Sequence, residues 1–473
     1  VITRTVSQIA SMCGAYRKGG NGELTVSGVM TDTRAAGSGQ LFVPLAGERF
    51  DGHDYALQAV SSGAKAMLWQ KGREVPAELT RMDMPLLMVK DTLEALQQLA
   101  SAYRSELPVR VIGITGSNGK TTTKDMTAAL LSASYRVLKT EGNLNNQIGL
   151  PLTLLKMDED TEVAVLEMGM SGFGEIELLT KLAHPDAAII TNIGDAHMLQ
   201  LGSREGIAKA KLEIALGLGD EGLLLYHGDE PLLREGLSRM ALSAGIQLKT
   251  FGLGSGNEWS PDRIALDPFG SSFAALNNRK SSSVGMVHIP VPGKHNISNA
   301  LAAVAVARYF GVPGESMAES FKSLKLTGMR IEPSRAYNEA IILNDSYNAN
   351  PTATRAAIDL VAGLQDIARR WIVIGDMLEL GPDEIAMHRE IGAYLSDDKA
   401  EGLLTYGPLS AHIATAANDS MPRAAQAGRI RHFEDQLELA AWLRSELTAE
   451  DLVLVKGSRG MRMEQVVQAL EKR

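Results

Sequence analysis

The sequence predicts an α/β protein of three domains: a smaller N-terminal α/β domain, a central domain with a mainly parallel sheet, and a C-terminal α/β domain of dinucleotide-binding type. Three observations predict it. The chain has 473 residues, too many for one hydrophobic core when domains usually run to roughly 100–200 residues. Apolar, β-rich runs of strand length alternate with segments of helical periodicity, the pattern of a parallel sheet covered on both faces. A Gly-rich loop stands between one such strand and an amphipathic helix, the junction at which these sheets bind phosphates.

The blocks divide as 1–107, 108–329 and 330–473. The first holds short strand-like pieces with turn signals, as in LFVPLAGERFDGHDY (41–55). The second opens with VRVIGIT (109–115), which runs straight into the Gly-rich loop. Behind the loop, Met126, Ala129, Leu130 and Ala133 recur at the spacing of one helix face. VAVLEM (163–168) and AAIITNI (187–193) follow as further strands, whereas residues 252–283, rich in Gly, Ser and Asn, are expected to form irregular β and loop. The third block alternates again, with AIILND, WIVIG, GLLTYG and LVLVK as strands and TATRAAIDLVAGL as a helix.

Composition narrows the function classes. Hydrophobic residues make up 45% and charged residues 22%, so disorder is not required. A net charge of -9 argues against a general nucleic-acid binder, which needs a basic face. It leaves phosphorylated small molecules open, since loops and helix ends hold those locally. Cys13 is the only cysteine, so no internal disulfide forms, which fits a reducing compartment. In its amphipathic surroundings Cys13 reads as a small buried apolar group. The first residues, VITRTVSQIASMCGAY, lack the continuous apolar core of a signal peptide, and stretches such as 300–306 fall short of a membrane span. A soluble, cytoplasmic protein without membrane insertion is expected.

The sharpest motif is Thr115-Gly116-Ser117-Asn118-Gly119-Lys120-Thr121-Thr122. Glycines let backbone N–H groups turn inward around phosphate oxygens, and the helix start adds partial positive charge. Lys120 is placed to reach the terminal phosphates and the Thr121 hydroxyl to ligate Mg²⁺. The general pattern has glycine six residues before the lysine; Ile114 stands there, with Gly113 one place off and Gly116 nearer. The motif means nucleotide binding and does not choose between kinase, GTPase and ligase, although no Asn-Lys-x-Asp guanine signature is present. Glu167 ends one strand and His197 follows another, both toward the side where ligands gather in parallel sheets. A carboxylate there suits Mg²⁺ between β- and γ-phosphates. Lys211, in AKAKLEIA, reads on chemistry alone as a solvated lysine on a helix face.

TGSNGKTTTK (115–124), the Glu167 strand end, NIGDAH (192–197), KAKLEI (209–214), GKHNISNALAA (293–303) and GMRIE (328–332) together resemble the Mur ligases, over essentially the whole chain. Within that family, TDTR, GERFDGHDY, GNLNNQIGLP, NDSYNANP, GDMLELG and VKGSRGMRME resemble members whose acceptor is D-alanyl-D-alanine. The Asp-Asn-Pro-Arg motif of the diaminopimelate-adding sibling is not found. The resemblance implies ATP-dependent joining of D-alanyl-D-alanine to UDP-N-acetylmuramoyl-tripeptide, through an acyl phosphate, in peptidoglycan synthesis, by a monomer. A sibling ligase with another acceptor, a folylpolyglutamate-type synthetase and a P-loop kinase are the alternatives.

The same resemblance implies roles. Gly116 to Thr122 bind ATP phosphates; Lys120, Glu167, His197, Lys211 and Arg330 form the catalytic set. Thr121 and Glu167 hold one Mg²⁺, and Lys211, carbamylated by CO₂, helps His197 hold a second. His295, Asn296 and Asn299 contact adenine, and Arg330 and Asp345 reach the nucleotide from the third block. Asp32, Thr33, Arg34 and Arg49 are candidates for the UDP end of the substrate, and Asn145 and Asn146 for substrate binding. Ala46 replaces the lysine that many relatives carry before Gly-Glu-Arg, which removes one expected contact there. From the geometry of a strand end followed by a helix start, Lys456, Ser458 and Arg459 are expected to bind the dipeptide carboxylate.

Overall fold

Burial on both faces explains why RVIGIT carries apolar residues without alternation: five of the six residues of the strand Arg110–Thr115 are buried. In the computed structural model, which describes residues 1–472 other than 35, 36, 49, 196 and 197, this strand lies inside a sheet of nine strands among the described residues. Val163–Glu167 and Ala187–Ile190 flank it, both parallel to it. Ile112, Ile114, Val163 and Ile189 pack on one face beneath the helices Lys120–Leu131 and Lys294–Tyr309. Val111, Ala164, Leu166 and Ile190 pack on the other, against the helices Glu175–Ala183 and Arg204–Leu212. Gly113 belongs to the strand and not to the loop: a Cβ there would meet Met168 Cε at 3.0 Å and Ile214 Cδ1 at 3.3 Å.

Residues 252–283 differ from expectation. They belong largely to an antiparallel meander, Trp259–Asp267, Gly270–Asn277 and Lys280–Ile289, that extends the parallel sheet. Two local signals outweigh the Gly, Ser and Asn content. Phe273 and Ala275 alternate inward onto the core. Asn278 and Arg279 both take left-handed backbone, φ 48° and 64°, as a two-residue hairpin turn requires.

The C-terminal sheet has six strands among the described residues. Its edge strand Glu332–Arg335 is antiparallel, and the others run parallel. Ile341–Asp345 and Leu452–Lys456 are neighbours although more than a hundred residues separate them, and Asp345 lies in register with Lys456. Among the described residues the N-terminal region carries a five-stranded sheet and the ribbon Thr3–Thr5 with Thr25–Ser27. Ile2, Val6, Leu96 and Leu99 share one apolar cluster with Leu150, Leu154 and Met157, which joins this region to the central one. Cys13 lies in that cluster, and burial pushes its thiol up to about 11. Among the described residues no helix is long and apolar enough to cross a membrane.

Candidate active site

The phosphate loop leaves the strand Arg110–Thr115 and is stitched to the segment after the neighbouring strand. Ser117 N donates to Asn192 O at 3.1 Å, and Asn118 N to Asn192 Oδ1 at 2.9 Å. Gly194 N donates to Ser117 Oγ at 2.9 Å. Two glycines are required. Gly116 has φ 147° and a Cβ there would lie 1.8 Å from Thr191 Oγ1; Gly119 has φ 80° and its Cβ would lie 2.5 Å from Asn299 Oδ1. The helix Lys120–Leu131 starts at once, so its free N–H groups face the cavity. Lys120 Nζ donates to Gly116 O at 2.8 Å, which folds the ammonium over the loop. Burial lowers the Lys120 pKa from the ordinary lysine value; Glu167 opposes that and Arg330 adds to it.

The loop opens into a cavity of about 330 Å³ whose walls come from two domains. The central domain supplies Ser117 to Thr122, Asn145, Glu167, Asn192, His295, Asn296 and Asn299. The C-terminal block supplies Arg330, Asp345, Tyr347, Asn348, Thr352, Ala353 and Lys456.

Thr121 and Glu167 meet as strand end and helix start predict. Thr121 Oγ1 donates to Glu167 Oε2 at 2.9 Å, and Asn145 Nδ2 donates to Oε1 at 2.9 Å. Thr140 Oγ1 accepts from Glu167 N at 2.9 Å, which fixes the strand end. Glu167 is 3% exposed and has no ion pair among the described residues. A buried carboxylate without a close ion pair among the described residues, beside a hydroxyl and a phosphate loop, fits a hard divalent ion that takes its remaining ligands from phosphate and water. Among the described residues there is no group of three or more His, Cys, Asp or Glu side chains of the kind that cages a metal by protein alone.

Lys211 is not solvated. It is 1% exposed in the last turn of its helix. Its pKa is lowered well below the ordinary lysine range, first by burial and then by Lys120; Glu175, Glu213 and Glu167 oppose this. A buried lysine of this kind spends more of its time as a neutral, nucleophilic amine.

From the C-terminal side, the Arg330 guanidinium lies 4.0 Å over the Tyr347 ring. Lys456 Nζ donates to Asp345 Oδ2 at 2.5 Å and to Asn348 O at 3.1 Å. The helix Pro351–Gly363 points its N-terminus at the same cavity, capped by Asn350, whose Oδ1 accepts from Ala353 N at 2.9 Å. Asn350 Nδ2 also donates to Asn118 Oδ1 at 2.8 Å, and Thr352 Oγ1 to Asp195 Oδ2 at 2.6 Å. The start of this helix therefore touches the phosphate loop directly. His295 lines the cavity with its pKa lowered by burial, a shift that Asp345 opposes and Lys456 reinforces. Asn299 Nδ2 donates to Asn296 Oδ1 at 3.2 Å, so the two amides are set by each other.

Other expected residues are placed differently. Lys456 lines the nucleotide cavity, where its ammonium pairs with Asp345. Ser458 is 4% exposed and its hydroxyl accepts from Leu378 N at 2.9 Å, tying two loops together. Arg459 is half exposed and pairs with Glu464 at 2.7 Å. Asn146 Oδ1 accepts from Ile148 N and Gly149 N, a capping contact. Asp32, Thr33 and Arg34 sit apart from the cavity lining, with Asp32 and Arg34 paired at 2.7 Å and Thr33 buried. Ala46 bridges Asp51 at the base of a turn. Arg49 and His197 lie outside the described residues. Asn192, Tyr347 and Asn348 were not singled out, although each follows a strand end inside a quoted segment; that position was the available signal.

Comparison with known proteins adds three family matches in chain order: the Mur ligase family catalytic domain over residues 25–104, the Mur ligase middle domain over 114–307, and the Mur ligase glutamate ligase domain over 329–459. The chain is 47% identical to UDP-N-acetylmuramoyl-tripeptide–D-alanyl-D-alanine ligase of Bacillus subtilis, over 99% of both chains. Among solved structures it resembles MurF from Acinetobacter baumannii, with TM-score 0.87, 29% identity and all of both chains covered. It also resembles MurF from Thermotoga maritima in complex with ADP, with TM-score 0.82, 27% identity, and 94% of this chain and 97% of that one covered.

Proposed function

This chain belongs to the Mur ligase family, and from that premise we propose that it joins D-alanyl-D-alanine to UDP-N-acetylmuramoyl-tripeptide with ATP, releasing ADP and phosphate. The observation that carries this reading is the two-domain cavity, in which Arg330, Asp345 and Lys456 face the phosphate loop across a space of nucleotide scale. A plain nucleotide binder has no need of a second domain there.

The tripeptide's terminal carboxylate oxygen attacks the γ-phosphorus of ATP in line. The bond from that phosphorus to ADP breaks, and ADP leaves with the electron pair. The dipeptide amine then attacks the acyl carbon, phosphate departs with the former carboxylate oxygen, and the nitrogen loses a proton. The barrier is electrostatic, because an anionic carboxylate must approach anionic phosphate. Lys120 and Arg330 oppose that repulsion, and the free N–H groups of the helix Lys120–Leu131 hold the phosphate oxygens. Thr121 and Glu167 would hold Mg²⁺, which supplies further neutralisation of the phosphate charge.

A second ion would involve Lys211 as a carbamate, with His197. Support for the carbamate comes from a buried lysine biased toward the neutral amine that CO₂ requires. His295, Asn296 and Asn299 would contact adenine. Arg459, an exposed cation after the strand Leu452–Lys456, would meet the dipeptide carboxylate, and Asp32, Arg34 and Arg49 the UDP end. The domains would be 1–107, 108–329 and 330–473. The enzyme would act as a monomer in the cytoplasm.

Labelling the tripeptide carboxylate with oxygen-18 tests this mechanism. One labelled oxygen is expected in each released phosphate; unlabelled phosphate would mean direct hydrolysis of ATP and would sink the acyl-phosphate step.

A further inference from the structure

Asp125 lies five residues beyond Lys120 on the phosphate-loop helix, and the reaction above gives it no task. It is 2% exposed, yet it is surrounded by donors. Lys139 Nζ donates to Oδ1 at 2.7 Å, while Thr327 donates to Oδ2 twice, from N and from Oγ1, each at 2.8 Å. Lys124 Nζ lies 3.5 Å away. Burial alone would raise the Asp125 pKa, but Lys124, Lys139 and Thr327 outweigh it and hold the carboxyl below its ordinary value.

Thr327 stands 202 positions later, in the segment that leaves the central domain. Three residues on, Arg330 enters the nucleotide cavity. The backbone between is unusual. Met329 and Ile331, on either side of the arginine, have φ 63° and 55°. For a β-branched residue such as Ile331 that region is strained and persists only where the surroundings impose it. Two carboxylates impose it here: Asp125 on Thr327, and Glu332 Oε2, which accepts from Met329 N at 2.8 Å. Arg330 Nε is buried and has no hydrogen-bond partner among the described residues. Its aim is therefore set by the turn and by the Tyr347 face, not by an acceptor of its own.

We propose that Asp125 is a positioning residue: by gripping Thr327 it fixes the strained turn that aims Arg330 at the nucleotide. The helix that begins with Lys120 and Thr121 thus also holds the arginine from the other side of the cavity, so loop and arginine move as one unit. This rests on Arg330 contacting the nucleotide, as in the proposed function.

The test is a double-mutant cycle with Asp125→Asn, Arg330→Ala and the pair, read in two ways. One is the Kd of a non-hydrolysable ATP analogue with Mg²⁺; the other is steady-state KM for ATP and for the dipeptide. In Asp125→Asn the analogue Kd is expected to rise about tenfold, the scale of one charge-assisted hydrogen bond, with the dipeptide KM unmoved and Asp125→Glu partly restoring the wild-type Kd. With Arg330 already removed, the same change should move the Kd by less than about twofold. Full multiplication of the two effects, or an unchanged Kd in folded Asp125→Asn, would overturn the proposal. If Asp125→Asn does not fold, Thr327→Val, which loses only the hydroxyl contact, enters the same cycle with the same expected non-additivity. Wild-type protein lacking dipeptide-dependent turnover would count against the proposed function alone, because the analogue Kd reads this coupling without catalysis.

Discussion

Replacing Lys211 with Met should separate stability from activity. The side chain is 1% exposed, and burial holds its amine well below the ordinary lysine range. Burying an amine that its surroundings compensate only in part costs about 1–3 kcal/mol by mutational measure. Methionine has similar length and no group to satisfy, and such swaps lose less than about 1.5 kcal/mol in shape. The net expectation for metal-free protein is a gain of about 1 kcal/mol, which for a domain of this size raises Tm by roughly 2–4 °C. Turnover should disappear in the same variant.

The pH dependence has a definite sign. With its folded pKa lowered, Lys211 binds fewer protons in the folded state than in the unfolded state between that lowered value and the ordinary lysine value. Wild-type stability therefore gains from this group as pH rises through that window, and the gain is complete above the unfolded pKa. Lys211→Met removes that slope. Urea unfolding across pH, together with scanning calorimetry, measures both effects. A loss of about 3–5 kcal/mol, as when one partner of a buried ion pair is removed, would refute the reasoning by showing the amine to be paired. Retained turnover would remove Lys211 from the mechanism.

Other perturbations follow from the same geometry. Glu167→Gln and Thr121→Val should each lower kcat by at least about a hundredfold while leaving Mg²⁺-free nucleotide binding within a few-fold, measured by fluorescence titration; unchanged kcat would exclude the pair as metal ligands. Lys456→Met leaves the part-buried Asp345 without its cation, so it should cost about 1–3 kcal/mol and raise the ATP KM, whereas Arg459→Ala should raise the dipeptide KM with the ATP KM constant. A shared KM pattern in the two variants would mean that both cations serve one ligand. Cys13, its thiol pushed up to about 11 by burial, should resist alkylation at pH 8 in the native protein and react on unfolding, as mass analysis would show; rapid native reaction would contradict its burial.

Local signals made the phosphate loop legible. A strand, a turn of glycines and a helix start are consecutive in the chain, so Gly116, Lys120 and Thr121 could be placed without knowing the fold. Glu167 followed from its position at a strand end. The meander was hidden because composition masked a two-residue periodicity that Phe273 and Ala275 display. The Lys456–Asp345 contact was not legible, because sequence spacing does not reveal that the strand of Lys456 inserts beside Ile341–Asp345. Lys211 shows the limit of helix-face reasoning: its face is covered by elements distant in sequence. The Asn118–Asn350 and Asp125–Thr327 contacts span 232 and 202 positions and match no motif, so only the folded chain brings them together.

The most direct measurement is phosphate release from ATP with UDP-N-acetylmuramoyl-tripeptide, with and without D-alanyl-D-alanine, with mass analysis of the product. Release that needs both substrates, with a product heavier by one dipeptide less one water, is the predicted result. Release without the dipeptide, or with neither substrate, would contradict the ligase assignment.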